Sequence, residues 1–323
     1  MHKTIIRRMI IMIPQLIVIS VLLFALAWVM PGDALTGRTQ DPTVSPERLE
    51  QLREQLGLND PPVRQYFRWI GNIILRGDFG YSITHARPVM DVIGERARNT
   101  FWLALLTALL TYLIAVPLGI IAGRYNDRLI DRGIGLYTYL ALAMPTIVFA
   151  LINLLIFGFR LEWFPVRGSV TLEAVQAGGI TFFLSRLHHM ILPAITAALL
   201  STIGIIQYLR GEIVRFKASD FVTTARSKGV PESVVYSRHI FRNALVPIAS
   251  NIGFIIVNLL VGSIFIERIF SYPGMGLLFL TSITGRDFST VNALVMLFAV
   301  LIALGALLSD IILTIVDPRI RIK

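Results

Sequence analysis

Six stretches of this chain carry no charged side chain: Met9–Met30, Thr100–Gly123, Gly133–Phe159, Met190–Leu209, Asn243–Ile266 and Phe288–Ser309. Each reaches the roughly 20 helical residues needed to cross ~30 Å of hydrocarbon. The last is expected to continue to Val316 with Asp310 inside it. Inside a bilayer no water satisfies peptide groups, so such stretches must close their hydrogen bonds as helices. The expected fold is therefore an all-α polytopic membrane protein with six transmembrane helices. Composition agrees, because 15% of the 323 residues are charged and 55% are hydrophobic, against about 25% charged in soluble domains. Pro31 and Gly32 follow an apolar run too long for a leader h-region, so the first stretch reads as a span.

The net charge of +10 could indicate nucleic acid, but its placement points to topology instead. With the N-terminus in the cytoplasm, the inner segments (1–8, 124–132, 210–242, 317–323) hold 16 Lys and Arg against 6 acids. The outer segments (31–99, 160–189, 267–287) hold 14 against 13. Basic residues translocate poorly, which puts both termini in the cytoplasm and requires no nucleic-acid partner. The domains follow: 1–30, the N-terminus and first span; 31–99, an extracellular helical cap; 100–316, a five-span core; and 317–323, a cytoplasmic tail.

The cap has helical punctuation. Ser45, Pro46 and Glu47 open a helix with Leu49, Leu52 and Leu56 on one face, ended by Gly57. Pro62 opens a second, with Tyr66, Phe67, Ile70 and Ile74 at helical spacing, closed by Gly77. A third is expected from Pro88 to Arg98. The cap either shields the rim of the bundle or receives an extracellular partner. In the last outer segment Pro273, Gly274 and Gly276 break the chain before a short re-entrant or interfacial helix over Leu277–Ser282.

Sites of chemistry are not evident. The chain has no Gly-Lys pair and hence no P-loop, no HExxH and no GxSxG, and its lack of cysteine excludes thiolate metal sites. His188 and His189 are adjacent, so on a helix they point about 100° apart and do not share an ion; no metal site is expected. Asp310, the one acid in a span, reads as a half-exposed helix-end residue rather than a proton relay. Uncharged polar residues are scattered through the spans, among them Thr107, Thr111 and Thr196. Of these, Asn153, Gln207, Asn251 and Asn258 are the candidates for a translocation path, with interhelical hydrogen bonding the plainer alternative. Pro14, Pro117, Pro145 and Pro193 permit kinks.

The most informative segment is the loop 210–247. It holds seven Lys and Arg between Arg210 and Arg242 against three acids, and it lies between two uncharged spans. Phe221 and Ala225 fall one turn apart, Gly229 is a good C-terminal stop, and Pro231 can open a second helix from Glu232. This is a structured elbow, larger than a turn requires, and suited to being gripped by a soluble partner.

DFVTTARSKG (220–229) followed by HIFRNALVP (239–247) resembles the cytoplasmic coupling loop of permease subunits of bacterial ABC importers, in particular the dipeptide, oligopeptide and nickel branch. The likeness runs along nearly the whole chain. It includes PGD (31–33), LGL (56–58), GDFGYS (77–82), RPV (87–89), MP (144–145), ERIFSYPGMG (267–276) and DPRIR (317–321). The long outer cap resembles that of the first, B-type, permease of a pair. The general importer pattern begins Glu-Ala-Ala where this chain has Thr223, Thr224 and Ala225, a loss that the peptide branch shares.

The resemblance implies a bacterial plasma-membrane subunit that binds no cofactor and is not itself an enzyme. It would pair with a second homologous permease and border membrane lipid. Two ATP-binding subunits would use ATP and Mg2+, and an extracellular or periplasmic binding protein would deliver the substrate. Asp220, Phe221, Thr224, Ala225, Arg226, Lys228 and Gly229 would couple to the ATPases, with Arg226 and Lys228 the charged contributors. His239, Arg242, Asn243 and Pro247 would anchor the elbow to the next span. The expected substrate is a di- or oligopeptide, with nickel or another small solute the alternative. A secondary carrier, from a different class, would call for inverted repeats or several intramembrane charges, and these are not evident.

Overall fold

A computed structural model describes residues 2–29, 59–246 and 264–316, together with Glu50, Ile248, Gly253, Val257 and Val261. The first cap helix expected after Ser45 lies outside the described residues but for Glu50, as do Pro247, Asn251, Asn258 and the tail 317–323. α1 (His2–Val29) is apolar around its circumference and runs through Pro14. α2 (Pro62–Arg76) starts on proline, whose missing N–H costs nothing in the first turn. It stops at Gly77, φ +63, where the Gly77 and Asp78 amides reach back to the Ile73 and Asn72 carbonyls at 3.1 Å each. α2 lies against α1, with the Tyr66 hydroxyl 2.9 Å from Ser20 Oγ and its ring edge-on to Phe24.

A two-residue hairpin follows, β1 (Tyr81–Ser82) against β2 (Arg87–Pro88), with Tyr81 opposite Pro88. Ser82 donates to the carboxylate of the buried Asp287, which also accepts from the Thr290 amide at the start of the last helix. The hairpin is thus fastened to the start of the last helix by one acid. α3 (Val89–Arg124) then runs for 36 residues without a break. The separate cap helix expected over Pro88–Arg98 is therefore corrected: these residues are the first turns of the second span's own helix. Val89, Val92 and Ile93 are buried there and pack with Met275, Leu278 and Leu294, which makes a break costly.

The stretch Gly133–Phe159, expected as one span, is two helices. α4 (Leu129–Ala143) and α5 (Thr146–Asn153), continued by a π-helical turn over Leu154–Arg160, meet at 104°. The cause is local, since proline forces the residue before it out of the helical region and Met144 has φ −89 and ψ +121. α6 (Leu172–Ala177) is capped by Thr171, whose Oγ1 accepts the Ala174 amide. α7 (Gly179–Lys217) carries Pro193 inside a 39-residue helix.

The elbow consists of α8 (Asp220–Ser227), α9 (Glu232–Val234), a π-helical turn (Val235–Phe241) and α10 (Arg242–Ala244). The chain resumes in α11 (Ile264–Ile269), α12 (Met275–Thr284) and α13 (Phe288–Val316). α12 is the short helix expected after the Pro-Gly break. Among the described residues, four helices are long and apolar enough to cross a membrane (in α1, α3, α7 and α13), and the bent α4–α5 pair makes five if counted as one span. Most of the fifth expected span, Asn243–Ile266, lies outside the described residues.

α3 and α7 form the central crossing. Gly119 and Gly123 lie one turn apart on α3, and a Cβ at Gly123 would stand 2.7 Å from Ile213 Cβ. A Cβ at Gly119 would stand 3.0 Å from Leu209 Cβ. Small residues at four-residue spacing let two backbones approach closely where lipid offers no hydrophobic drive for association. At the other flank Arg8 of α1 pairs with Asp310 of α13. Asp310 is partly exposed there, and the pair ties the first turns of α1 to the last turns of α13.

Candidate functional site

The elbow is built on a buried seat. Val222 and Ala225 of α8 and Val235, Ile240 and Ala244 of the second arm pack against Ile206, Leu209 and Ile213 of α7. α8 therefore turns two small apolar residues inward, and Ala225 faces the fold rather than a partner. Asp220, Phe221, Thr224, Arg226, Lys228 and Gly229 are exposed together on the outside. Phe221 is held near Phe216, ring centroids 6.0 Å apart, and remains 41% exposed.

The bend between the arms is fixed by chain and charge. Gly229 has φ +72, a region a Cβ resists, although no atom lies within 4 Å of where that Cβ would stand. The Val230 amide returns to the Ala225 carbonyl at 3.2 Å. Arg226 reaches across the bend to Glu232 with two hydrogen bonds, Nη2 to Oε1 at 2.7 Å and Nε to Oε2 at 3.2 Å. That bidentate pairing holds the Glu232 carboxyl below its ordinary range and raises the Arg226 guanidinium. In the second arm Asn243 Nδ2 donates to the His239 carbonyl at 2.6 Å, and Arg242 points outward. Arg124, the last residue of α3, lies over the Tyr236 ring at 5.0 Å.

Of the path candidates, the two described, Asn153 and Gln207, bond to different partners. Asn153 is buried but donates to the Phe149 carbonyl of its own helix at 2.8 Å, while Gln207 is exposed and reaches Thr138 Oγ1 at 3.3 Å. Thr196 bonds back to Leu192. His188 and His189 go separate ways, to the Trp163 and Ser185 carbonyls.

Sequence reasoning passed over a second centre, at the opposite end of α3. Glu267 of α11 is fully buried. Its carboxyl accepts from Thr100 Oγ1 at 3.0 Å and from the Leu277 amide at 2.8 Å. Asn99 donates to the Pro273 carbonyl at 2.9 Å and accepts through its own carbonyl from the Tyr272 hydroxyl at 3.2 Å. Gly274 is required, because a Cβ there would stand 2.2 Å from the Glu267 carboxyl oxygen. Burial outweighs these donors and pushes the carboxyl up to about 7. The signal in the sequence was an acid placed directly after an uncharged span and before a Pro-Gly break.

The two centres differ in kind. Together they place an exposed face of mixed apolar and charged side chains at one end of a long helix pair and a buried polar knot at the other. The family model described as binding-protein-dependent transport system inner membrane component matches residues 115–322, and its N-terminal counterpart matches residues 1–104. The oligopeptide transport system permease protein AppB of Bacillus subtilis is 38% identical over 322 residues, covering 99% of this chain and 100% of AppB. The dipeptide transport system permease protein DppB of Lactococcus lactis is 31% identical over the full length of both chains. Among solved structures, an inward-facing MetNI methionine ABC transporter chain superposes with a TM-score of 0.55 at 12% identity. It covers 71% of this chain and 97% of that one, and shares the fold. The chain belongs to the family of binding-protein-dependent transport system inner membrane components.

Proposed function

We propose that this chain is the permease subunit of an ATP-driven importer for oligopeptides or dipeptides, forming half of the translocation path. The carrying observation is the elbow: an exposed face of Phe221, Thr224, Arg226 and Lys228 held on a buried seat. Such a face suits a soluble ATPase, and the rigid seat suits transmission of force. The full-length likeness to relatives named for oligopeptide and dipeptide transport favours peptide over nickel.

In this reading six helices span the bacterial plasma membrane with both termini in the cytoplasm, an arrangement supported by the charge asymmetry and by the Arg8–Asp310 pair. A second homologous permease completes the path. Two ATP-binding subunits, using ATP and Mg2+, grip one elbow from each permease, and an extracellular or periplasmic binding protein delivers peptide to the cap. ATP-driven closure of the ATPases pushes on α8 and opens the cavity outward; hydrolysis resets it. The subunit alone hydrolyses no ATP and moves nothing.

The test is reconstitution of the complete complex in proteoliposomes with a labelled peptide. ATP-dependent accumulation that vanishes when this subunit is omitted, and that unlabelled peptide but not Ni2+ competes away, is expected. Accumulation of Ni2+ with no accumulation of peptide would contradict the substrate assignment.

A further inference from the structure

On the elbow side, the short connection between α3 and α4 is bound to the end of α7 by more bonds than a turn needs. Arg210 of α7 makes a bidentate pair with Asp131 of α4, Nε to Oδ1 at 2.6 Å and Nη2 to Oδ2 at 2.7 Å, and Asp131 is 4% exposed. The same carboxylate accepts the amide of Asp127 at 2.8 Å, in a turn where Asp127 itself has φ +67. Two helical turns further along α7, Lys217 Nζ reaches the Arg124 carbonyl at 3.1 Å, the Gly123 carbonyl at 3.4 Å and Asn126 Oδ1. Those two carbonyls are the unpaired acceptors at the C-terminus of α3, where a cation is doubly favoured, by hydrogen bonding and by the helix dipole.

Lys217 is also three residues from Asp220, where α8 begins. One side of the latch is therefore the segment that enters the elbow, and the other is the end of α3. The Gly119–Gly123 crossing lies directly above it, so α3 cannot slide on α7 without breaking either close packing or the latch. At its far end α3 carries Thr100, which holds the Glu267 turn. At 1.5 Å per residue α3 is about 54 Å long, enough to join the two faces of a bilayer in one unbroken helix, which runs on through Pro117.

We propose that Asp131, Arg210 and Lys217 are positioning residues for transport. They latch the α3–α4 turn to the elbow, so that displacement of α8 by an ATPase moves α3 as a rod and carries the motion to the opposite face. The second span is then driven by the elbow directly, and not only through the span that follows it. This rests on the coupling function proposed above. Motion of a latched rod needs no contact between the ATPase and α3, and a broken latch leaves the elbow free to be gripped while the rod stays behind. ATP hydrolysis should survive such a break and uptake should not.

The experiment uses the complete reconstituted complex and reads peptide uptake and ATP hydrolysis in the same vesicles. Asp131→Asn and Lys217→Met are expected to lower uptake per ATP by about tenfold, the size of an ordinary coupling free energy, while hydrolysis persists. The charge exchange Asp131→Arg with Arg210→Asp is expected to recover part of the ratio that Asp131→Asn loses, since it restores the ion pair but not the acceptor for the Asp127 amide. An unchanged ratio in both single variants would overturn the proposal. So would a parallel fall of both rates that the exchange does not rescue, since that marks a merely structural pair. A wild-type complex with no ATP-driven uptake would instead sink the functional reading itself, so the two failures are distinguishable.

Discussion

Thr100 and Glu267, 167 positions apart in the chain, share a buried hydrogen bond of 3.0 Å in which the threonine hydroxyl donates to the carboxyl. The same hydroxyl accepts the Met275 amide at 2.8 Å, so one oxygen ties α3 both to the acid and to the first turn of α12. The Pro-Gly-Met-Gly turn is thereby fixed to the second span through side chains, with Gly274 and Gly276 making room for the carboxyl.

Thr100→Val keeps the shape and removes both bonds, leaving the Met275 amide unpaired in a buried site. A loss of about 1–3 kcal/mol follows from one unsatisfied buried donor, whereas Thr100→Ser, which retains the hydroxyl, should cost less. Thermal unfolding of the purified complex measures the difference; equal melting of the Val and Ser variants would show that the bonds carry no weight.

The Glu267 carboxyl also sets a pH dependence. Its affinity for a proton is raised from the ordinary 4.5 to about 7 by burial, with Arg96 the cation opposing that shift. The folded state then binds the proton more tightly than the unfolded chain does. Its contribution to stability is full below the unfolded value and is lost as pH rises through about 7. The melting temperature should fall between those limits, and Glu267→Gln, which cannot ionise, should flatten that part of the profile. A profile of unchanged slope in the variant would refute the assignment.

Close approach of α3 and α7 predicts a sharp contrast between glycines. A methyl at Gly123 would meet Ile213 Cβ at 2.7 Å and the Arg210 carbonyl at 3.2 Å, while one at Gly133 meets nothing within 4 Å. Gly123→Ala should destabilise by about 1–3 kcal/mol, the usual cost of overpacking. Gly133→Ala should be neutral to slightly stabilising, through helix propensity. Comparable levels and melting of the two variants in membranes would contradict the crossing.

Much of this architecture is legible in the chain because bilayers punish exceptions. Uncharged length marked the long helices of α1, α3, α7 and α13, and glycine and proline marked the ends of α2, α8 and α12. The misread places are those where a local rule was overridden or two distant residues meet. Pro88 opens a helix as expected, but burial of Val89, Val92 and Ile93 carries that helix straight into the span. Met144–Pro145 was visible as a possible kink, and the extended backbone of Met144 opens it to a bend of 104°. Ala225 stood in the coupling motif, and helical periodicity about Val222 is what turns it inward. The partnerships Asp131–Arg210 and Thr100–Glu267 join residues 79 and 167 positions apart, and no spacing in a single sequence encodes such pairs.

The most direct test of the elbow as the coupling element is uptake per ATP hydrolysed in the reconstituted complex for Gly229→Pro and Arg226→Glu. Proline cannot adopt the φ of +72 at Gly229, and glutamate at 226 would face Glu232 where a bidentate pair now stands. Both variants should retain ATP hydrolysis and lose peptide uptake, by about tenfold or more for a coupling of ordinary size. Unchanged ATP-driven uptake in both would contradict the account.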